Sequence, residues 1–252
     1  MIESYYYGQG KVFTRKSGGK WRWWGDVSTL TLAAAVEKVE HRESYSGKKS
    51  LVRSFPNSTT MTLAATLHQI DTEALAEQLY GAASEIAAGT VTGEVLGNVA
   101  VGDIIKLAHG GIEDLVITDS LGSPATIADT HYEEDPRFGS IEFLSLPSGP
   151  APTMPLKAAY GYAGGKQVNF MTQPAPVMEF RYEGINLAEG NAPVIVELYK
   201  LQTDPLQELA LITDGNDVAG MQISASILLD SSKPALGDLG QFGRFRQVTM
   251  PA

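Results

Sequence analysis

Short segments in which apolar and polar residues alternate make up most of this chain, and closely spaced turn signals such as Gly18-Gly19 and Gly110-Gly111 separate them. Alternation with a period of two places successive side chains on opposite faces of a strand. Short runs of this kind between glycine- and proline-rich turns are typical of antiparallel β-proteins. The sequence therefore predicts a mainly β, antiparallel fold. The predicted strands are Tyr5–Lys16, Val27–Val39, Thr59–Gln69, Asp103–Leu107, Ser140–Leu146, Leu156–Tyr162, Gln167–Thr172, Val177–Glu183, Val194–Thr203 and Met221–Leu229.

A single helix is predicted at Thr72–Tyr80, within the segment IDTEALAEQLYG. Asp71 is a favourable N-cap, and Glu73 lies in the first turn, where the helix dipole stabilises a negative charge. Gly81 suits the left-handed conformation in which many helices end. Residues 82–88 are predicted to extend this helix or to form a second short piece.

Two of the predicted strands nearly repeat one another: LTLAAAVE at 30–37 and MTLAATLH at 61–68. In each, one face is apolar and is predicted to lie in the core, while the other carries small polar groups. The polar face is expected either to be an ordinary solvated sheet surface or to form the wall of a water-filled bore. A charged segment, Glu40–Phe55, separates the two strands and is predicted to be a long loop.

The charge is distributed unevenly along the chain. Its net charge is −10, which argues against a simple nucleic-acid-binding protein with a basic face. Residues 1–57 nevertheless contain ten Lys and Arg against five Asp and Glu, whereas the remainder contains nine against twenty-four. This asymmetry suggests a partner, and the acidic part of another copy of the chain would suit the basic part.

Several classes of protein and site are disfavoured by what the sequence lacks. With no cysteine, the chain has no disulfide framework, thiolate metal site or cysteine nucleophile. No apolar run reaches the ~18–20 residues of a membrane helix. The first residues do not resemble a signal peptide, so we expect use without export and no membrane partner.

The sequence shows no recognisable catalytic or metal-binding motif, so we predict that the protein is not an enzyme and uses neither a metal nor a cofactor. The four histidines lack zinc-binding spacing, and no G-x-S-x-G nucleophile elbow occurs. The acidic run from Glu133 to Asp135, next to His131, is interpreted as a solvated loop in preference to a cation site. The pair Glu133 and Glu134 has no carboxylate partner that sequence alone identifies as catalytic.

A cluster of three tryptophans, Trp21, Trp23 and Trp24, is interpreted as an anchor in the core or in an interface. The alternative is that these rings stack on sugars or bases.

A series of segments occurs in an order that is similar to the major tail protein (tail tube protein) of long-tailed, siphovirus-type bacteriophages. The segments are Gly25–Leu32, Glu37–His41, the helix Asp71–Gly81, MEFRYEGINLAEG (178–190), VIVELYKLQTDP (194–205) and GQFGRF (240–245). The resemblance implies a β-sandwich or barrel with one flanking helix and a long hairpin loop. It also implies one tail-tube domain over residues 1–252, with a possible β-rich insertion at 89–149.

The resemblance implies a structural role without catalysis. Six subunits are expected to join their inner sheets into a ring, and stacked rings form the hollow tube through which phage DNA passes without specific binding. The expected further partners are the tail tip, tape-measure and tail terminator proteins. The expected location is the virion tail, assembled in the host cytoplasm.

Three sets of residues follow from this resemblance. The loop that stacks one ring on the next would use Arg42, Glu43, Lys48, Lys49 and Arg53, and could meet Glu133, Glu134 and Asp135 of a neighbour. The candidates for the lumen wall are Glu37, Thr60, Thr62, Glu179 and Glu183. Acidic groups repel the phosphates of DNA, and hydroxyl groups carry no charge that would attract them. The candidate interface anchors are Trp21, Trp23 and Trp24.

Two other functions remain open from the sequence. One is a glycan-binding or glycan-cleaving β-sandwich that uses the tryptophans and the Asp and Glu pairs. The other is the tube protein of a contractile secretion system, because a fold does not determine its use.

Overall fold

The computed structural model describes residues 5–213, 215 and 218–249, which divide into two units. Residues up to 83 and from 168 onward form unit 1, and residues 84–167 form unit 2. Strands account for 51% of the residues and helix for 5%, and the paired strands run antiparallel. The predicted mainly β, antiparallel fold class with a single α-helix is therefore confirmed for the described residues, and it is consistent with a β-sandwich.

The strands of the described ranges follow one another in this order: β1 (Gly8–Lys16), β2 (Arg22–Trp23), β3 (Val27–Arg42), β4 (Leu51–Leu67), β5 (Ala82–Ile86), β6 (Gly89–Gly97), β7 (Ile104–Lys106), β8 (Ile112–Thr118), β9 (Thr126–Ile127), β10 (Tyr132–Asp135), β11 (Ser140–Phe143), β12 (Leu156–Tyr162), β13 (Gly165–Asn169), β14 (Val177–Asn186), β15 (Ala192–Thr203), β16 (Met221–Ile227) and β17 (Gly243–Gln247). Helix α1 spans Thr72–Gln78, and short 3-10 turns lie at Asp129–His131 and Leu187–Glu189.

Unit 1 is built on one eight-stranded sheet with the order β2-β1-β14-β15-β16-β4-β3, in which β17 also pairs with β15. Alternate residues of its strands form one apolar core, as their period of two predicts. Leu63, Phe180, Leu201 and Ile223 belong to this core. Burial of each such side chain contributes roughly 1.5–3 kcal/mol, so this face of the sheet dominates the stability of the unit.

Helix α1 begins as predicted, because the Asp71 side chain accepts a hydrogen bond from the Ala74 backbone N–H (2.6 Å). Its predicted exit is wrong. Tyr80, with φ +48°, adopts the left-handed conformation that was expected of Gly81. Gly81 is needed for another reason: a Cβ at this position would overlap the carbonyl oxygen of Asn169. The predicted helical continuation is also wrong, since Ala82–Ile86 is strand β5.

The β3–β4 hairpin is far longer than predicted, and its loop is shorter. Cross-strand pairs run from Val27–Leu67 to Arg42–Leu51, so most of the expected loop Glu40–Phe55 is strand and only residues 43–50 connect the two. On β4, Leu63, Ala65 and Leu67 are buried as predicted. The core face predicted for β3 is wrong beyond Leu30, since this edge strand extends past the core.

Unit 2 has its own apolar core between a four-stranded sheet, β6-β12-β8-β9, and a three-stranded sheet, β10-β11-β7. Ile117, Ile141, Phe143 and Leu156 lie fully buried in this core. The segment 89–149, predicted as an insertion, falls within the unit and supplies most of its strands. Strands β5 and β13 pair with each other in a separate two-stranded sheet.

Candidate assembly surface

The loop at the end of the β3–β4 hairpin is closed by Glu43. Its backbone N–H donates to the Ser50 carbonyl (2.9 Å), and its carboxylate accepts hydrogen bonds from the Ser46 backbone N–H (3.0 Å) and from the Ser46 hydroxyl. The Ser46 hydroxyl bond comes first among the causes that lower the pKa of Glu43; burial opposes it, and backbone N–H bonds add to the lowering. Glu43 is buried, so its carboxylate is occupied inside the tip and holds the loop in shape.

The predicted cationic residues of the stacking loop lie on this hairpin and are exposed. Arg42 forms an ion pair with Glu40 (2.9 Å) and donates to the Lys49 carbonyl. Arg53 lies over the ring of Phe55, with 5.8 Å from its guanidinium carbon to the ring centroid. Lys48 and Lys49 of the tip are exposed, and Tyr45 is 87% exposed. The tip therefore presents positive charge together with an aromatic ring.

Apolar side chains on the hairpin remain uncovered on both of its faces. Leu32 and Val36 are 45% and 47% exposed on the face that continues from the core. Val39 pairs directly with Phe55, and both are exposed on the opposite face. Alternation correctly predicted a strand for Leu32, Val36 and Val39, whereas Phe55 was wrongly predicted to lie in a loop. Alternation could not indicate that these side chains stay exposed among the described residues. Exposed apolar residues grouped in this way are common at interaction surfaces.

The residues predicted to line a lumen share one face of the eight-stranded sheet, opposite the core. Strand register places Thr60 and Thr62 on this face, together with Glu37, whose carboxylate accepts from the Ser58 hydroxyl (2.9 Å). Glu179 and Glu183 lie on the same face of β14. Each has a cationic partner, Arg15 for Glu179 and Arg181 for Glu183, both at 2.6 Å. The face is therefore rich in hydroxyls and ion pairs, and at β14 its acidic charge is largely balanced.

A second ionic group on this sheet centres on Glu197, which sequence reasoning did not single out. Arg181, Arg244 and Arg246 all lie within 3.2 Å of its carboxylate. Burial works against ionisation, but the hydrogen bond from Arg244 and the three guanidinium charges keep the pKa of Glu197 below its usual value. The group joins β14, β15 and β17.

The three tryptophans separate into two environments. Trp24 is 3% exposed and packs edge-on against Phe180 in the core, with ring centroids 6.0 Å apart. Trp21 and Trp23 are exposed, and cationic side chains lie over their rings: Arg15 at 4.5 Å from Trp21 and Lys11 at 5.6 Å from Trp23. Only Trp24 anchors the core of its own chain, whereas Trp21 and Trp23 are available to a partner.

One part of the unit 1 core stays open as a groove of about 630 Å³, a feature that the sequence analysis missed. Tyr6, Tyr182, Phe245 and Leu32 are among its lining residues. The ring of Tyr182 lies against Gly10 and Gly184, where a Cβ would collide with it. Burial, reinforced by a hydrogen bond with Tyr6, raises the pKa of Tyr182. The groove continues into the exposed apolar face of β3 through Leu32.

Both ends of the eight-stranded sheet offer backbone to a further strand. Strand β3 stands at one end of the strand order, and no strand among the described residues pairs with its outer edge. At the other end, β2 pairs only with Phe13 and Thr14 of β1, and no other described strand pairs with Gly8–Lys11 on that side. A long unpaired edge is a template for pairing with another chain.

Three of the four histidines contact a hydroxyl group or an aromatic ring. His68 contacts the Ser28 hydroxyl (2.9 Å), His131 contacts that of Ser145 (2.7 Å), and His109 stacks on Tyr162. Within residues 5–213, 215 and 218–249, no three His, Asp or Glu residues are arranged to hold a metal ion. In the same ranges, no helix is long and apolar enough to cross a membrane.

Within the part of the chain that the structure describes, the fold is that of an antiparallel β-protein whose long β3–β4 hairpin lies at a sheet edge and exposes apolar side chains. The chain belongs to the family described as "Protein of unknown function UCP028589", whose model matches residues 5–246. A search of curated proteins finds no match to the chain.

Proposed function

We propose that this protein is the structural subunit of a hollow tube of the kind formed by the major tail proteins of long-tailed bacteriophages. Six copies join their eight-stranded sheets edge to edge in a ring, and the rings stack head to tail. A head-to-tail contact that does not close on itself produces a filament. The subunit carries no catalytic role.

The main support for this proposal is the length and exposure of the β3–β4 hairpin. Its strands of 16 and 17 residues continue beyond the core, expose apolar side chains on both faces and end in a tip closed by Glu43. An isolated two-stranded hairpin is marginally stable in water. A long exposed edge also promotes aggregation unless a partner covers it. Association with neighbouring copies would stabilise the hairpin and cover its exposed edge.

The hydroxyl-rich face of the same sheet suits the wall of a tube through which DNA moves. Thr60 and Thr62 are exposed on it, and Glu37 adds negative charge. Arg15 and Arg181 on this face are paired with Glu179 and Glu183, which reduces the positive charge that could bind phosphates there. In this role the tube belongs to a virion tail assembled in the host cytoplasm. Tail tip, tape-measure and terminator proteins are its further partners.

Electron microscopy of the purified chain at high concentration tests this proposal. A matched variant replaces residues 43–50 with Asn-Gly, which closes a two-residue hairpin turn directly after the Arg42–Leu51 pair. The intact chain is expected to form hollow filaments, and the shortened variant only rings or monomers. A Lys20→Glu variant, changed in the exposed β1–β2 turn, should assemble like the intact chain. Monodisperse intact chains at every concentration and salt would argue against a self-assembling tube.

A glycan-binding function is the second candidate, because Trp21 and Trp23 expose neighbouring aromatic rings beside cationic side chains. Soluble glycans are then expected to quench the fluorescence of these tryptophans in the monomer. A Trp21→Ala/Trp23→Ala variant should lose that response while Trp24 stays in the core. An unchanged spectrum across a glycan panel would exclude this candidate for the glycans tested.

A further inference from the structure

We propose that the hairpin tip of one copy docks on unit 2 of a second copy, with Tyr45 as its aromatic anchor and Lys48 and Lys49 as its charges. This inference rests on the proposed self-assembly and names the surface that the hairpin contacts. The resemblance suggested contact with Glu133, Glu134 and Asp135; the structure places these residues in unit 2 and adds Glu142, which pairs with Glu133, and the hollow beside them.

The hairpin carries a surplus of positive charge. Residues 38–53 contain five Lys and Arg against two Glu. The carboxylate of Glu43 is engaged in hydrogen bonds within the tip, and Glu40 is paired with Arg42. Among the described residues, no carboxylate lies within ion-pair distance of Lys48 or Lys49. Their charges are therefore available to a partner.

Unit 2 is strongly acidic. Residues 84–167 contain eleven Asp and Glu against four Lys and Arg. In its three-stranded sheet, Glu133 of β10 stands directly opposite Glu142 of β11. Like charges that face each other across strands are destabilising, and a cation between them relieves the repulsion. In the part of the chain that the structure describes, neither carboxylate has an ion-pair partner.

The surface around this pair is hollow and partly apolar. Ile104, Pro136, Glu133 and Glu142 are among the residues that line a depression of about 520 Å³. Two cations also line it: Arg137 is paired with Asp135, and Lys106 donates to the Ser140 hydroxyl, while four carboxylates leave the depression acidic. Ile104 pairs with Glu142 across β7 and β11, and its side chain is 59% exposed. A tyrosine ring fits an amphipathic hollow of this kind, since Tyr supplies a large apolar area with a polar end.

Charge complementarity identifies the occupant as a second copy of this chain. A tip rich in Lys and a sheet face rich in Glu on one chain give a head-to-tail contact, which repeats from copy to copy. Nucleic acid is the other partner that would suit a basic hairpin, and it is tested as an alternative below.

A reciprocal charge exchange in the full chain tests the docking. One variant carries Lys48→Glu and Lys49→Glu, a second carries Glu133→Lys and Glu142→Lys, and a third carries all four changes. Sedimentation velocity at low salt measures the concentration at which half of the protein is assembled. We expect each double variant to raise this concentration on the order of tenfold, and the fourfold variant to restore most of the loss. Added salt should weaken the intact assembly.

Two controls separate local contact from net charge. Lys20→Glu changes a lysine outside the hairpin, and Glu113→Lys changes an exposed acid on the other sheet of unit 2. Lys20→Glu is combined with Glu133→Lys/Glu142→Lys, and Glu113→Lys is combined with Lys48→Glu/Lys49→Glu. Neither combination should restore assembly. Circular dichroism of each variant confirms that it is folded.

The outcomes distinguish the docking from the proposed function. Suppose that intact chains assemble, but that the half-assembly concentration of the fourfold variant is raised by the product of the two double-variant effects. The docking is then wrong, and self-assembly stands. If the lysine reversals abolish binding to duplex DNA and leave assembly unchanged, the tip binds nucleic acid and the docking is likewise wrong. If the intact chain stays monomeric throughout, both the docking and the proposed function fail.

Discussion

The carboxylate of Glu43 accepts a hydrogen bond from the backbone N–H of Ser46 at 3.0 Å, and this contact closes the end of the β3–β4 hairpin. The same carboxylate accepts from the Ser46 hydroxyl and, at 3.5 Å, from the Ser50 N–H. One acidic side chain thus satisfies three donors of an eight-residue connection between β3 and β4. The order of the tip depends on a charge buried within it, although the surface of the tip is basic.

Replacement of Glu43 by Gln is expected to loosen the tip without unfolding the sheet. An amide has a single acceptor oxygen and cannot serve all three donors. Limited proteolysis between residues 44 and 50 should become several-fold faster, while the thermal midpoint stays close to that of the intact chain. The control is Glu40→Gln on the same hairpin, which removes only the ion pair with Arg42. Equal proteolysis rates for the two variants would contradict the role of Glu43.

Replacement of Glu197 by Gln should lower the free energy of unfolding by about 1.5–3 kcal/mol at pH 7, since three charge-assisted arginine contacts weaken together. The folded-state pKa of Glu197 is lowered. Its contribution is therefore fully present above the unfolded-state pKa of about 4.3 and is lost as the pH falls through the folded-state value. The difference between the intact chain and the variant should shrink on acidification.

Urea unfolding at pH 7 and at pH 3 measures this effect. Glu183→Gln is the matched control because Glu183 is exposed and has one arginine partner, and it should cost ~1 kcal/mol or less at either pH. A gap for Glu197→Gln that stays constant between the two pH values would show that its ionisation does not stabilise the fold.

Replacement of Trp24 by Ala should destabilise unit 1 by about 3–5 kcal/mol, because it removes a buried ring that packs on Phe180. The thermal midpoint is expected to fall by roughly 10 °C. Replacement of Trp23, which is 47% exposed, should cost ~1 kcal/mol or less. Differential scanning calorimetry compares the two. Similar midpoints for both variants would be inconsistent with their different burial.

Replacement of Gly81 by Ala should destabilise the chain by about 1–3 kcal/mol, because the new methyl group meets the Asn169 carbonyl and forces the backbone apart. Gly122 is the matched control: a Cβ there has no neighbour within 4 Å. Gly122→Ala should change stability by ~0.5 kcal/mol or less. Chemical denaturation of both variants checks the contrast, and an undisturbed Gly81→Ala chain would mean that the two segments separate at little cost.

Features that depend on neighbouring residues in the chain could be predicted well. Strand β12 has the bounds that its alternation predicts, and Asp71 caps α1 as its position before a helical segment indicates. These outcomes are local, because a strand's two faces and a helix's first turn are set within a few residues. The strands β6, β8 and β10 were missed, since glycines interrupt the alternation of β6 and two adjacent acidic residues interrupt that of β8 and β10.

Features that depend on distant residues were decided by the tertiary structure. Arg15 pairs with Glu179, 164 positions away, so a residue predicted as a free lumen charge is in an ion pair. The segments LTLAAAVE and MTLAATLH look alike, yet Leu63 is buried and Leu32 is exposed. Alternation alone therefore determined that both segments are strands with one apolar face. Which of those faces is covered depends on strand order, because β4 lies between two strands and β3 lies at the edge of the sheet beyond the core.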